Sequence, residues 1–418
     1  MISADIVIIG GGASGLTAAV TAKETSPQSR VIVLERLMRT GKKIIASGNG
    51  KCNLSSDELS PARYHGSFDA MKVINAMPDY KEFFTRKLGV VCMKGSEGRE
   101  GGIYPRSNSS TTVLNALRLK LSSLGAEEMY EQEVKSIDVT GKAIIITTQS
   151  ETFSCKRAII AAGGYAGPSF GTDGTMLRIL KGMGYRIAKI CPAVAPLKAS
   201  PEQLKGLKGV RVKGNISAVS DGKILRTEKG EIQFNDTSIS GVCVFNLAYL
   251  WQEYEGKLGL SADLLPEYSF HDIVEYIADM RVSRRDAPLE ELLTGIFPKN
   301  LAVYLVKNTL MRNMNDPVYT VTGKEAKLLA GRIKDLSFMV TGCSAWQNAQ
   351  VTCGGVHASC IGEDLSSKLH KGLYFCGEIL DVAGDCGGFN LQWAWSSGML
   401  AGKSCAESLK GEKRDKNK

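Results

Sequence analysis

Gly10, Gly12 and Gly15 form G-x-G-x-x-G. This spacing lets a chain turn tightly, bring its backbone against a pyrophosphate and pack the next helix close to the preceding strand. Ile6-Val7-Ile8-Ile9 reads as the strand before the glycines, and Leu16-Thr17-Ala18-Ala19-Val20 as the helix after them. A helix that starts near Ala13 and Ser14 offers unpaired N–H groups and a positive dipole end to a diphosphate. A second apolar strand, Val31-Ile32-Val33-Leu34, runs into Glu35 and Arg36, and Glu35 lies twenty residues beyond Gly15. A carboxylate there accepts hydrogen bonds from ribose hydroxyls and repels a 2′-phosphate. Glycine-rich turns alone are common. Strand, glycines, helix, strand and terminal acid in this order predict a bound dinucleotide.

Three further blocks carry polar chemistry. The stretch from Thr40 to Ser55 contains Gly41, Lys42, Lys43, Ser47, Gly48, Asn49, Gly50, Lys51, Cys52 and Asn53. It is too glycine-rich for a helix interior and too polar for a buried strand, so it reads as a loop laid along a ligand, with two lysines near the diphosphate. Cys52 reads as a small buried residue that packs near the cofactor. Ala158-Ile159-Ile160-Ala161-Ala162-Gly163-Gly164 is a strand ending at glycines, which returns the chain to a parallel sheet. Gly372-Leu373-Tyr374-Phe375-Cys376-Gly377-Glu378 ends in Gly-acid, and a small-residue helix follows around Trp393–Gly402, where both tryptophans read as packing.

The supporting elements are less sharply marked. Met71–Leu88 and Leu114–Leu121 have helical character, while Glu133–Ile137, with Val134 at its start, and Ala143–Thr148 read as a β-meander. Gly95-Ser96-Glu97-Gly98-Arg99-Glu100-Gly101 has glycines but no apolar strand before it and no apolar helix after it, so it is not a second fingerprint. From Cys191 to about Met339 the character changes to short strands (Val210–Val219, Lys223–Thr227) and then helices between Phe270 and Leu336. The predicted class is α/β, with a Rossmann-type dinucleotide domain, a parallel sheet and its meander. That domain takes residues 1–190 and 341–410, and a β-rich plus helical region over 191–340 is inserted as a substrate cap. Residues 411–418 read as a disordered tail.

Composition narrows the class. The chain has 418 residues, a formal net charge of +9 and eleven cysteines. An odd cysteine count without C-x-x-C fits reduced thiols in a cytosol, and the absence of C-x-x-x-x-C argues against a flavin disulfide reductase. No apolar run approaches the roughly eighteen residues of a membrane span. The first strand begins too early to leave room for a signal peptide. A cytoplasmic protein with no membrane partner is expected. Part of the positive charge sits in Lys410–Lys418 and the rest is scattered, without a basic stripe of interleaved aromatics, so no nucleic-acid partner is expected. Four scattered histidines show no ligand spacing, and no metal is expected. The sequence leaves the oligomeric state open.

These blocks together resemble the FAD-binding half of flavoprotein oxidoreductases. More narrowly, Ser47-Gly48-Asn49-Gly50-Lys51-Cys52-Asn53, Gly171-Thr172-Asp173-Gly174, Pro192–Leu197, Ile239-Ser240-Gly241 and Gly377–Ala394 are similar to the signatures of the BaiN-like family of bacterial flavoproteins. The chain departs from that pattern after Gly354-Gly355-Val356, where His357–Asp364 replaces an expected Thr-Met-Glu-Ser-Lys run. The resemblance implies non-covalent FAD, NAD(P)H as a transient co-substrate and a small-molecule substrate. The implied reaction is reduction of C=C bonds in 3-oxo-Δ4 or Δ4,6 steroid (bile-acid) intermediates by hydride from flavin N5. Its rivals are an aminoacetone-type amine oxidase that releases peroxide, a flavin-dependent tRNA-modifying enzyme and a non-catalytic flavin redox sensor. Under this resemblance Glu378 would hold a ribityl hydroxyl, and the N–H groups of Gly388, Asn390 and Leu391 would face the flavin N1/O2 edge. Tyr165, His357 and Arg106 are candidate proton donors, each in or beside a glycine-rich turn.

Overall fold

The computed structural model describes residues 1–95, 101–141 and 143–415. The middle of the rejected Gly95–Gly101 motif and the last three residues of the tail lie outside them. The chain divides into two units, Met1–Pro192 with Ala349–Lys418, and Ala193–Asn348.

The first unit is built on a seven-stranded sheet. Its order is Glu127–Met129, Val31–Leu34, Ile2–Ile9, Thr152–Ile160, Ala143–Thr148 and Val134–Thr140. Ile2–Ile9 pairs in parallel with both Val31–Leu34 and Thr152–Ile160. The strand Thr152–Ile160 changes partner along its length. Its first half pairs antiparallel with the meander, and Ala158–Ile160 pairs in parallel with Leu373–Phe375. The three strands at the centre read as continuous apolar runs because both their faces are buried. Ile6, Val7, Ile8, Ala158, Ile159, Ile160 and all of Val31–Leu34 are buried.

Helix Ala13–Thr25 lies against the long C-terminal helix Phe389–Asp415. The approach is set by glycine. A Cβ on Gly398 would stand 2.4 Å from Ser14 O, and one on Gly402 would stand 2.4 Å from Ala18 O. Because Gly398 and Gly402 are four apart, they share one face of their helix and meet residues four apart on the other.

Several local expectations change. Part of the Thr40–Ser55 segment is helical: Lys42–Ala46 forms a short helix entered through Gly41 at φ +73°, followed by a 3-10 turn over Ser47–Gly50. Ile44 is the buried anchor that makes this worthwhile despite the polar neighbours. The stretch Met71–Leu88 is broken into Ala70–Asn75 and a π-type turn over Lys81–Lys87. Pro78 separates the two, since it has no N–H to continue a helix. The C-terminal helix continues to Asp415, into the segment that reads as a frayed tail. Among the described residues, no helix is long and apolar enough to cross a membrane.

The second unit has its own core. Leu197–Ala199, Ser238–Ser240, Lys223–Phe234, Arg211–Ser220, Gly259–Asp263 and Leu336–Cys343 close into an antiparallel barrel in that order. Helices Phe270–Ser283, Lys299–Leu310 and Gly323–Lys334 share its apolar cluster. Ser269 with Asp272, and Thr322 with Glu325, form capping boxes that start two of these helices.

Two glycine variants test the helix contact. Gly402→Ala is expected to lower the urea midpoint, costing about 1–3 kcal/mol by overpacking. Gly182→Ala, in a helix where the added Cβ meets nothing within 4 Å, is expected to leave stability unchanged or raise it by up to about 1 kcal/mol. Equal effects at the two positions would contradict the packing account.

Candidate functional site

At the first turn of the fold, backbone approaches backbone. Gly10 has φ +109°, and a Cβ there would stand 2.4 Å from Ala161 O. At Gly15 a Cβ would stand 1.9 Å from Gly10 O. Gly12 is different: a Cβ there meets nothing within 4 Å. Gly12 is also the N-cap of helix Ala13–Thr25, and no side chain caps that helix. Its first N–H groups therefore open onto free space at the positive end of the helix dipole.

Glu35 stands beside this turn. Gly11 N–H donates to Glu35 Oε2 (3.0 Å) and Leu37 N–H to Oε1 (2.9 Å). Burial pushes its carboxyl above the ordinary range, opposed by those two N–H bonds. Arg36 is drawn outward, pairing with Asp173 (2.9 Å) and Glu133 (3.4 Å) and donating to Gly171 O (3.1 Å). Val134, which follows Glu133, is buried at the start of its strand.

One network joins three blocks far apart in sequence. Lys43 Nζ donates to Glu378 Oε2 (2.6 Å) and Ala166 O (3.1 Å). Thr352 N–H donates to Glu378 Oε1 (2.9 Å), while Thr352 Oγ1 accepts from the N–H groups of Tyr165 (2.8 Å) and Ala166 (2.9 Å). Glu378 is thus engaged by Lys43 and Thr352. Lys42 and Lys43 likewise part company: Lys43 serves this network, and Lys42 begins the short helix. Gly377 (φ +77°) presses on Ser14, whose Oγ would lie 2.3 Å from a Cβ there. At Gly163 (φ +71°) the nearest side chain is that of Thr172.

The segment Ser47–Asn53 is wound tightly. Gly48, Asn49, Gly50 and Cys52 all have positive φ, and left-handed backbone at a buried non-glycine such as Cys52 is a strain that clusters at functional sites. Burial pushes the Cys52 thiol up to about 12, so it stays protonated at neutral pH and is a poor nucleophile. Asn53 Oδ1 is a buried oxygen without a hydrogen-bond partner. It would stand 2.7 Å from a Cβ on Gly388 (φ +101°), and Ser55 O would stand 2.5 Å from it. Indole N–H groups bind the surrounding blocks together. Trp395 Nε1 donates to Leu54 O (3.0 Å) and Trp393 Nε1 to Gly377 O (3.1 Å). The Asn390 side chain clamps the turn before the C-terminal helix, accepting from Gly384 N–H and donating to the carbonyls of Gly384 and Asp385. Leu391 follows, half-buried, in the first turn of that helix.

The three candidate proton donors stand on different elements. Arg106 is exposed beyond the strand Gly102–Pro105. His357 Nδ1 accepts from Ser359 N–H (3.1 Å) and caps a 3-10 turn. Tyr165 stacks beneath Gly174, where a Cβ would meet its ring at 1.9 Å. Sequence reasoning missed two residues. Thr352 organises the Glu378 network, and His65 pairs with the buried Asp385 (Nε2 to Oδ1, 2.8 Å). The only signal for His65 is the run Tyr64-His65-Gly66, whose partner strand is more than 300 residues away.

A bare helix start, a strand-end carboxylate, an orphaned amide oxygen and a second helix start bordered by glycine fit an FAD molecule. The first pair suits its diphosphate and ribose, and the second suits the polar edge of its ring.

Comparison with known proteins agrees with this architecture. A 3-dehydro-bile acid delta(4,6)-reductase of Clostridium scindens is 34% identical over 96% of this chain and 99% of its own. A ribosomal RNA dihydrouridine synthase of Haemophilus influenzae is 26% identical over 96% of this chain and 98% of its own. Among solved structures, the FrdA chain of Escherichia coli quinol fumarate reductase superposes with a TM-score of 0.52 at 15% identity, covering 99% of this chain and 72% of that one; this likeness is one of fold. The model of the HI0933-like protein Rossmann domain matches residues 4–404, and the chain belongs to the HI0933-like family.

Proposed function

We propose that the protein is an FAD-dependent oxidoreductase that reduces a C=C bond conjugated to a carbonyl, with NAD(P)H as electron donor and a 3-oxo-Δ4 or Δ4,6 bile-acid steroid as substrate. The observation that carries it is the coincidence of an FAD-shaped cradle with end-to-end similarity to a bile-acid reductase. When bound, FAD supplies two-electron hydride chemistry, and the protein's part is binding, orientation and electrostatics.

Each part falls to identifiable residues. The N–H groups after Gly12 hold the diphosphate, and Gly12 itself keeps the approach clear. Glu35 accepts from ribose hydroxyls with the lone pairs that Gly11 and Leu37 leave over. The start of the C-terminal helix, at Gly388 to Leu391, favours negative charge on the flavin's N1/O2 edge. Lys43 and Thr352 keep Glu378 fixed between the glycine turns. The second unit carries no dinucleotide fingerprint, so NAD(P)H is a visiting reductant in this reading.

A second reading has its own support. Two relatives are named ribosomal RNA dihydrouridine synthases, at 26% and 25% identity. Uracil's C5=C6 bond is conjugated to a carbonyl, so both readings describe one reaction class on different substrates. The chain's charge of +9 is compatible with an RNA substrate, although it forms no obvious stripe.

Two measurements test these readings. Gly12→Ala is expected to leave the stability of the FAD-free protein unchanged while weakening FAD binding at least tenfold, because the added methyl takes diphosphate space. Gly10→Ala is expected to lower stability as well. Loss of stability at Gly12 with normal FAD affinity would contradict the cradle. Anaerobic stopped-flow with NADH or NADPH is expected to bleach the flavin band, and an enone bile acid is expected to restore it faster than buffer does. Recovery with uridine-containing ribosomal RNA and not with the steroid would select the second reading, and peroxide release with amines would replace both.

A further inference from the structure

Asp385 is a buried carboxylate, 2% exposed, at the end of the strand Val382–Gly384. That strand pairs antiparallel with Tyr64–Gly66, which sets His65 opposite Ala383. Asp385 Oδ1 lies 2.8 Å from His65 Nε2, and Arg63 NH1 donates to Oδ2 at 3.4 Å. Arg63 also pairs with Glu58 (2.9 Å) and lies over the Phe389 ring. Tyr64 donates to Phe389 O (3.1 Å), and burial first, then Asp385 nearby, push its hydroxyl up, so it stays neutral. Asp381, on the other side, accepts from Ser67 N–H (3.0 Å). The charged and titratable groups around His65 include Asp385, Arg63, Tyr64 and, at one remove, Glu58 and Asp381.

Position gives this cluster its significance. Asp385 stands three residues before Gly388, and Asn390 clamps its carbonyl to the first turn of the C-terminal helix. The His–Asp pair and the helix start that faces the flavin's polar edge therefore form one braced unit. A two-electron reduction of a C=C bond needs one hydride and one proton. Negative charge at the helix start on flavin reduction favours uptake of a proton by a base braced to that start. A histidine held by a buried carboxylate suits that role, because the carboxylate orients the ring and an imidazole can both accept and give a proton. Arg63 is engaged by Asp385 and Glu58, and the Tyr64 hydroxyl donates to Phe389 O.

We propose that His65, positioned by Asp385, is the proton carrier coupled to flavin reduction. It takes up a proton when the flavin is reduced, and gives that proton to the substrate as hydride arrives at the other carbon. The imidazolium becomes neutral imidazole, C–H bonds form at both carbons of the former double bond, and solvent restores the proton in the next cycle. The electrons come from NAD(P)H. The proposal rests on the reductive reading above.

The test is the midpoint potential of the bound flavin as a function of pH, between about pH 5 and pH 9, in the native protein, His65→Gln and Asp385→Asn. The native protein is expected to show a steeper segment, marking one extra proton taken up on reduction. His65→Gln is expected to lose that segment, and Asp385→Asn to shift it along the pH axis. Superimposable profiles in all three would overturn the proposal. If His65→Gln does not retain FAD, Asp385→Asn decides: an unmoved segment rejects the assignment and a shifted one supports it. In single turnover with an enone, His65→Gln is expected to slow flavin reoxidation by roughly 100-fold while reduction by NAD(P)H is unchanged. If the native protein itself fails to reduce any enone, the reductive reading fails, and the potential profiles still judge His65 separately.

Discussion

Everything in the cofactor-binding unit depends on backbone meeting backbone at the first turn. Gly10 lies against Ala161 O and Gly15 against Gly10 O, so the strand, the turn and the helix stand closer than any side chain allows. Gly398 and Gly402 repeat the device on the outer face of the same helix, against Ser14 and Ala18. The helix is gripped on two sides by contacts without side chains, and its start is left bare. That bareness has a cost, because the first N–H groups of a helix need partners. An anionic ligand would meet the need, so the geometry that packs the fold also offers a place for one.

The rest of the site is stitched on by a few polar residues rather than by a continuous element. Thr352, Lys43 and Glu378 tie together a returning strand, the tightly wound second block and the glycine-acid strand end. Trp393 and Trp395 use their indole N–H groups for the same purpose, each reaching a backbone carbonyl in a different block. Buried polar networks of this kind specify one arrangement because each partner left unpaired is costly. Asn53 Oδ1 is the exception, and it lies where the C-terminal helix begins.

What could be seen in the sequence follows from range. The first strand, its glycines, the first helix and Glu35 lie within one supersecondary unit, so their periodicity and spacing carry the whole signal. The end of the strand Thr152–Ile160, from Ala158, and the strand Leu373–Phe375 are legible as apolar runs ending in glycine, whereas Thr152–Arg157 is not. The helix Lys42–Ala46 was hidden because five residues anchored by a single buried Ile44 have no period to detect. The closed barrel was only partly visible, since three of its strands have five or fewer residues. The His65–Asp385 pair had no local signature, because two strands more than 300 residues apart create it. Tyr165, His357 and Arg106 draw attention through their glycine-rich surroundings, and each belongs to a different element.

The most direct test of the central claim is the flavin content of the purified protein. Acid denaturation should release a yellow cofactor in a ratio of about one per chain. Its fluorescence should rise several-fold on phosphodiesterase treatment, as the adenine of FAD is removed from the isoalloxazine. Flavin retained on the precipitated chain would contradict the reading of Cys52 as an inert, buried thiol. A protein that neither carries FAD nor binds it when it is added would contradict the account of the bare helix start on which the rest is built.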